Sequence, residues 1–457
     1  MAALAPRKIE IVRTLVETAP DKIVGGLQVA LADTPLDSAL GQVRRLVDNE
    51  VRDRRLRNVV LQPVAPMFVG DGKDSRSLTF PARALPLIWR GLKAHAAREV
   101  AEAEEAYVEF NPEDTSGEVF DHLARIAAHG LRSRDYEEFR QAAELCDSAR
   151  PNGAAQLADC LDVGSVVRRA ATRLPDWLAS IGDETTASAR LAYKDAVAIA
   201  EDAGPRFFEM LAAQMGQPWM VLRVISEVMD KPTERYLADS EMACFGERVM
   251  EEIDEALKAI AGLPLDGGPP AGRAAGKLAE LITLQTAELE TCVELNREHG
   301  WGHRIAKQKK TLASVVEGRL RDAEKYAIAA LPTHQAKINR VRRTIPRMTL
   351  PPDPVQVARA TTLLTFVQEI RASANYGGFA AARAKVLEKL TDYFDHYVEE
   401  AVDLLKAGEA EALIAQAFLE VAADFARLVQ GDQAADLVRR RAASAIHATP
   451  AALVAEG

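Results

Sequence analysis

Cysteine is scarce in this 457-residue chain: Cys146, Cys160, Cys244 and Cys292 are widely spaced, with no CxxC pair and no histidine at zinc-ligand spacing. That argues against a disulfide scaffold and against a zinc site, and it points to buried free thiols in a reducing compartment. Aromatic residues make up only 5% of the chain, which disfavours a sheet-based core. No stretch approaches the roughly 18 apolar residues of a membrane-spanning helix. Arg7, Lys8, Glu10, Arg13 and Glu17 interrupt the first twenty residues, so no secretory leader is expected and the cytoplasm is the expected location.

Catalytic signatures are missing as well. There is no GxSxG, no glycine-rich phosphate or dinucleotide fingerprint, no Glu-x-x-His pair and no aspartate-rich prenyl-transfer motif. His122 and His129 stand two helical turns apart, but Gly130 is expected to end their helix and no carboxylate completes a triad. His299 and His303 bracket the turn Gly300, Trp301, Gly302, which breaks the helical register a metal pair needs. Asp183 with Glu184 and Glu399 with Glu400 read as solvated faces. The sequence therefore names no catalytic residue, no metal ligand and no cofactor.

Proline is absent from two long stretches, between Pro270 and Pro332 and between Pro354 and Pro450, whereas it recurs at short intervals from Pro6 to Pro232. Proline inside a helix removes a hydrogen bond and clashes with the preceding turn. The C-terminal part can therefore hold longer helices than the N-terminal part. With frequent alanine and 48% hydrophobic residues, the expectation is an all-α protein: a multi-helical N-terminal region over 1–262, a Gly/Pro linker at 263–273, and a bundle of long antiparallel helices over 274–457.

Within that frame, two or three short helices bounded by Pro20 and Pro35 are expected over 7–56, then an irregular crossover over 58–80 pressed onto the helices by Val64, Met67, Phe68 and Val69. A long helix is expected over 87–110, and shorter ones over 116–229 broken at Gly130, Pro151, Pro175, Gly182, Gly204 and Gly216. From Thr233 to Ala261 the stripe Met242, Phe245, Val249, Ile253, Leu257 and Ile260 predicts one helix with Thr233 as its cap. Residues 274–299 and 303–330 are expected to form a helical hairpin. Two near-heptad stripes follow, Leu387, Leu390, Phe394, Tyr397, Ala401, Leu405 and Ile414, Phe418, Val421, Phe425, Leu428.

Charge supplies the one feature that stands out. The chain carries a formal net charge of −10, yet 303–347 holds twelve basic residues against Glu317, Asp322 and Glu324. Residues 333–345 are expected to form a short helix ended by Pro346. Either this segment neutralises acidic helices of the same molecule, around 95–121 or 241–255, or it docks an anionic partner through Lys307, Lys310, Lys337, Arg340, Arg343 and Arg347. Only Tyr326 is interleaved with the basic residues, which disfavours single-stranded nucleic acid. The reading is a non-enzymatic cytoplasmic scaffold or adaptor that binds a protein. An anion-binding module acting through 303–347, on acidic protein, lipid headgroup or nucleic acid, is the first alternative, and a helical enzyme with an unrecognised site is the second.

Overall fold

Good helix formers dominate the segments between breakers, and the computed structural model is accordingly all-α, 78% helical with 4% strand. It describes residues 5–70, 76–109, 117–179, 182–229, 232–338, 341–408 and 410–448. No helix among them is long and apolar enough to cross a membrane. The chain divides into two compact units, Met1–Pro232 with Tyr236–Phe245, and Thr233–Arg235 with Gly246–Gly457.

The first unit opens with α1 (Pro6–Thr18) and α2 (Asp21–Leu31), both packed on α3 (Ala39–Val60). Val16, Val24 and Val47 form their shared core. Arg54 of α3 donates to the carbonyls of Val16 and Ala19 at 2.9 and 2.7 Å, so a cation closes the C-terminal end of α1 where the helix dipole is negative. Beyond Val60 the chain leaves helix for a single 3-10 turn at Ala65–Met67. It then forms a short parallel pair, β1 (Phe68–Val69) with β2 (Phe80–Pro81). Leu61, Val64, Met67 and Phe80 are all buried, so the crossover is held by apolar contact. Of the turn-rich run 70–75, positions 71–75 lie outside the described residues.

The expected long helix over 87–110 is two helices, α4 (Ala84–His95) and α5 (Ala97–Glu109). Ala96 breaks it at φ −133° and ψ 43°, where the His95 ring stacks on Tyr136 with centroids 3.6 Å apart. No local breaker marks this position; tertiary packing overrides propensity. Two other expected breaks are absent. In α6 (Glu118–Ser133) the helix runs through Gly130, whose missing side chain admits the Phe139 ring, 2.6 Å from where a Cβ would stand. The second, Pro175, lies inside α8 (Gly153–Ala179), where Leu174 and Trp177 are buried on either side of it. Around α8 pack α6, α7 (Glu137–Ala149), α9 (Asp183–Ile199) and α10 (Ala203–Gln214), with α11 (Val221–Val228) against α9. Tyr193, Phe207, Phe208 and Phe245 form an aromatic cluster with centroids 5.3 to 6.5 Å apart.

The helix expected from Thr233 is divided into α12 (Glu234–Ala238) and α13 (Ala243–Ala261), and the division between units falls inside α13. All six residues of its expected apolar stripe are buried. The Gly/Pro run at 263–273 takes a different form from a linker: it belongs to the second unit, and from Gly268 it is helix, the start of α14 (Gly268–Cys292). Pro269 and Pro270 occupy the first turn, where their missing N–H groups would have no partner anyway. Gly272 and Gly276 face α16 (Pro354–Glu369). Cβ atoms there would stand 2.3 Å from the Thr362 carbonyl oxygen and 2.3 Å from the Glu369 Cβ. Glycine is present so that two helix backbones can touch.

The expected hairpin of 274–299 with 303–330 is also revised. The turn is at 293–299, α15 runs Gly300–Ala330, and α16 packs against both α14 and α15, which touch each other little. The stripes of α17 (Ala380–Lys406) and α18 (Ala412–Val429) meet as expected, with Phe394 and Phe425 centroids 5.8 Å apart and Tyr397 and Phe418 6.4 Å apart. The last helix, α19 (Asp432–Ala448), covers both.

Candidate functional site

The short helix expected over 333–345 is an antiparallel β-hairpin, β3 (Thr333–Ile338) with β4 (Val341–Pro346), in register from Thr333↔Pro346 to Ile338↔Val341. The residues explain the change. Thr333, Ile338, Val341, Thr344 and Ile345 are β-branched and favour extended backbone. Pro332 forbids continuation of α15, and its carbonyl accepts from the Arg347 N–H at 2.8 Å. Ile345 is buried at 9% exposure and β4 lies on α17. The tip residues 339–340 lie outside the described residues.

Consequently Lys307 and Lys310 do not form one patch with Arg343 and Arg347. Lys307 and Lys310 stand on the first turns of α15, roughly 30 Å along the helix axis from its end at Ala330. Arg343 and Arg347 are on or just past β4, and Arg343 donates to Glu400 at 2.5 Å. Glu400 is 6% exposed, so Glu399 and Glu400 are not both a solvated face. The side chains of Lys337 and Arg340 lie outside what the structure describes.

Many charges of the basic segment are neutralised within the second unit. Arg304 donates to Glu247 and Asp254, both at 2.8 Å, and Gln308 donates to Asp254 and to the Met250 carbonyl at 2.7 Å. Burial alone would raise the Asp254 carboxyl, but the hydrogen bonds from Gln308 and Arg304 outweigh it and hold the group below the usual carboxylate range. Desolvation opposes the Arg304 charge, yet Asp254 and Glu247 push that guanidinium upward. Lys309 binds Glu290 at 2.9 Å, its ammonium 4.7 Å from the centroid of the Tyr376 ring. Arg319 pairs with Asp322 at 3.3 Å.

A second set faces solvent. The apolar side of α15 buries Ile305, Leu312, Val316, Leu320, Ala323 and Ala327. The opposite side presents Lys307, Lys310, Arg321 and Lys325 at helical spacing, with Glu317 as the acidic residue between them. Past the helix, Arg342 and Arg347 are exposed too. Lys307, Lys310, Arg321, Arg342 and Arg347 form no ion pair with a described residue. No acidic residue occurs from 325 to 352. The arrangement is a basic ridge that runs about 27 Å, from Lys307 to Lys325, along a helix of 31 residues and continues past its end.

One structural centre escaped the sequence altogether. The Glu234 carboxylate, 8% exposed, accepts the backbone N–H groups of Trp301, Asn296 and Gly302 at 2.6, 2.8 and 3.1 Å. It supplies the acceptor that the first turn of α15 otherwise lacks. Gly300, at φ +66°, is required because a Cβ would stand 1.8 Å from that carboxylate. Trp301 is buried and its indole N–H donates to Glu247 at 2.6 Å. The partners are more than 50 residues apart in sequence, so no local signal could have paired them.

Enzyme-like features are weak by comparison. A cleft of about 630 Å³ in the first unit is lined by Glu118, Asp121, Arg125, Asp162, Ser165 and Arg169, but Asp121 is bound by Arg168 and Asp162 by Arg132. Burial pushes the Cys146 thiol up to about 12, which suits a packing role and not a nucleophile. Among the described residues no group of histidine, cysteine and carboxylate side chains could hold a metal ion. Compared with known proteins, the chain matches no family model, no curated protein and no solved structure.

Proposed function

We propose that the protein is a cytoplasmic, non-enzymatic helical adaptor that docks an acidic protein segment along the basic ridge of α15 and the adjoining β-hairpin. The carrying observation is the split of the basic segment: Arg304, Lys309, Arg319 and Arg343 are neutralised internally, while Lys307, Lys310, Arg321, Arg342 and Arg347 are exposed and form no ion pair with a described residue. Five such cations on a rigid support steer an acidic partner and fix its register more than they add raw affinity. A protein is favoured over single-stranded nucleic acid because no exposed aromatic side chain alternates with these cations; Tyr326 is held between Lys325 and Arg359. The coiled-coil-like seam of α17 and α18 is read here as the rigid backing for such a surface.

Reversal of Lys307, Lys310 and Arg321 to Glu tests the reading. Stability should change by no more than about 0.5 kcal/mol, since these are surface positions. Salt-sensitive binding of an acidic peptide, and of the partner recovered by affinity purification of the intact protein, should be lost. Full retention of that partner by the triple variant would defeat the proposal. Binding to heparin or acidic vesicles without any protein partner would favour the plain anion-binding reading instead.

A further inference from the structure

The outward face of α2 is built against the rule for a surface helix. Val24 is buried against α3, and Gln28 donates to Asp48 at 3.3 Å on the same inner side. The opposite side should be polar. That side and its flank carry instead Ile23, 54% exposed, Leu27, 37% exposed, and Val29, 78% exposed, together with exposed Gly26 and Ala30. Glycine weakens a helix interior relative to alanine, and a Cβ at Gly25 or Gly26 would meet no atom within 4 Å. Among the described residues nothing calls for glycine at either place. Charge occurs only at the two ends of this face, Lys22 at the N-terminal end and Asp33 just past the C-terminal end. Both are exposed, and neither forms an ion pair with a described residue.

We propose that this face is a homodimer interface in which α2 helices of two copies cross antiparallel, close to Gly26 and Leu27. A twofold contact sets each position against its reciprocal on the other copy. With the twofold level between Leu27 and Gln28, Gly26 of each copy lies opposite Val29 of the other, and each helix start lies beside the other helix's end. Lys22 of one copy then faces Asp33 of the other, twice. A parallel crossing would set Lys22 against Lys22 and Asp33 against Asp33. The charge pattern therefore selects a second copy in one orientation, and the bare backbone at Gly26 permits a close approach. This contact belongs to the first unit and does not depend on the basic ridge of the second.

The experiment is a charge swap on the full chain, read by sedimentation over a wide concentration range. Wild type should self-associate to a dimer. Lys22→Asp and Asp33→Lys should each weaken the dimer by about tenfold or more, because each creates two like-charge contacts. Mixing the two single variants should restore association, since the mixed pair regains both attractive contacts, and the double variant should dimerise as wild type does. Restoration also shows that each single variant is folded. Ile23→Glu with Leu27→Glu should abolish the dimer without lowering helix content. A wild type that stays monomeric throughout overturns the proposal, as does a mixture no more associated than its components.

Discussion

Helices α2 and α14 each hold two glycines in their interiors, and only one pair is explained by the molecule itself. At Gly272 and Gly276 of α14 a Cβ would collide with the backbone and side chains of α16; at Gly25 and Gly26 of α2 it would meet nothing. The same residue type thus has an inward reason in one helix and none in the other. Charges divide in the same way along α15, where Arg304 is locked to Glu247 and Asp254 while Lys307, one turn on, has no partner among the described residues. A residue that is unfavourable or idle by itself, and uncompensated within the chain, is where an external contact should be sought.

Dense packing gives the largest expected effect. Phe394, 1% exposed, and Phe418, 2% exposed, lie on the seam of α17 and α18. Replacing either by Ala should cost about 3–5 kcal/mol, through lost burial and an unfilled cavity. Leu413 of the same α18 is 75% exposed, and Leu413→Ala should change stability by no more than about 0.5 kcal/mol. Denaturant unfolding checks both. Equal effects at Phe394 and Leu413 would erase the distinction between inward and outward residues in this unit.

The glycine pairs should respond with opposite signs. Gly272→Ala or Gly276→Ala should destabilise by about 1–3 kcal/mol, because the added methyl forces α14 from α16 and the strain exceeds the gain in helix propensity. At concentrations low enough to keep the chain monomeric, Gly25→Ala and Gly26→Ala should each stabilise the fold by about 0.5–1 kcal/mol, since the space within the chain is open and alanine is the better helix former. Melting temperatures of the four single variants decide the matter. Destabilisation at Gly25 or Gly26 would mean that α2 is covered within the chain after all.

Legibility in the sequence follows the range of the interaction responsible. Periodic helices such as α13, α17 and α18 were readable because their apolar stripes are local. Breaks at Pro20 and Pro35 were readable for the same reason. The Gly/Pro run at 263–273 was misread because Gly272 answers to α16, some 90 residues downstream. Gly130 was misread because its packing partner is the Phe139 ring. In the basic segment, the β-branched residues Thr333, Ile338, Val341 and Ile345 were present, but they were outweighed by a helical placing of the charges. The excess of charge was legible as a sum; its division into paired and unpaired residues was not, because Glu247, Asp254, Glu290 and Glu400 come from other helices.

That division predicts a small, signed dependence on pH. Asp254 titrates below its ordinary value in the fold because Gln308 and Arg304 hydrogen-bond its ionised form. A carboxyl whose folded value is depressed adds stability that is complete above its unfolded value, about 3.9, and is lost as pH falls through the folded value. Wild type should therefore lose an increment of stability below about pH 4 that Asp254→Asn lacks. The increment should be under about 1 kcal/mol, since both partners are partly exposed and solvent screens them. Added salt should shrink it further. Lys307→Gln, with no carboxylate partner among the described residues, should leave the acid limb of the curve unchanged. Thermal melts from neutral to acid pH for the three proteins supply the test. Identical acid limbs for wild type and Asp254→Asn would mean that the Arg304 pairing contributes nothing measurable, and the contrast between the two faces of α15 would then rest on geometry alone.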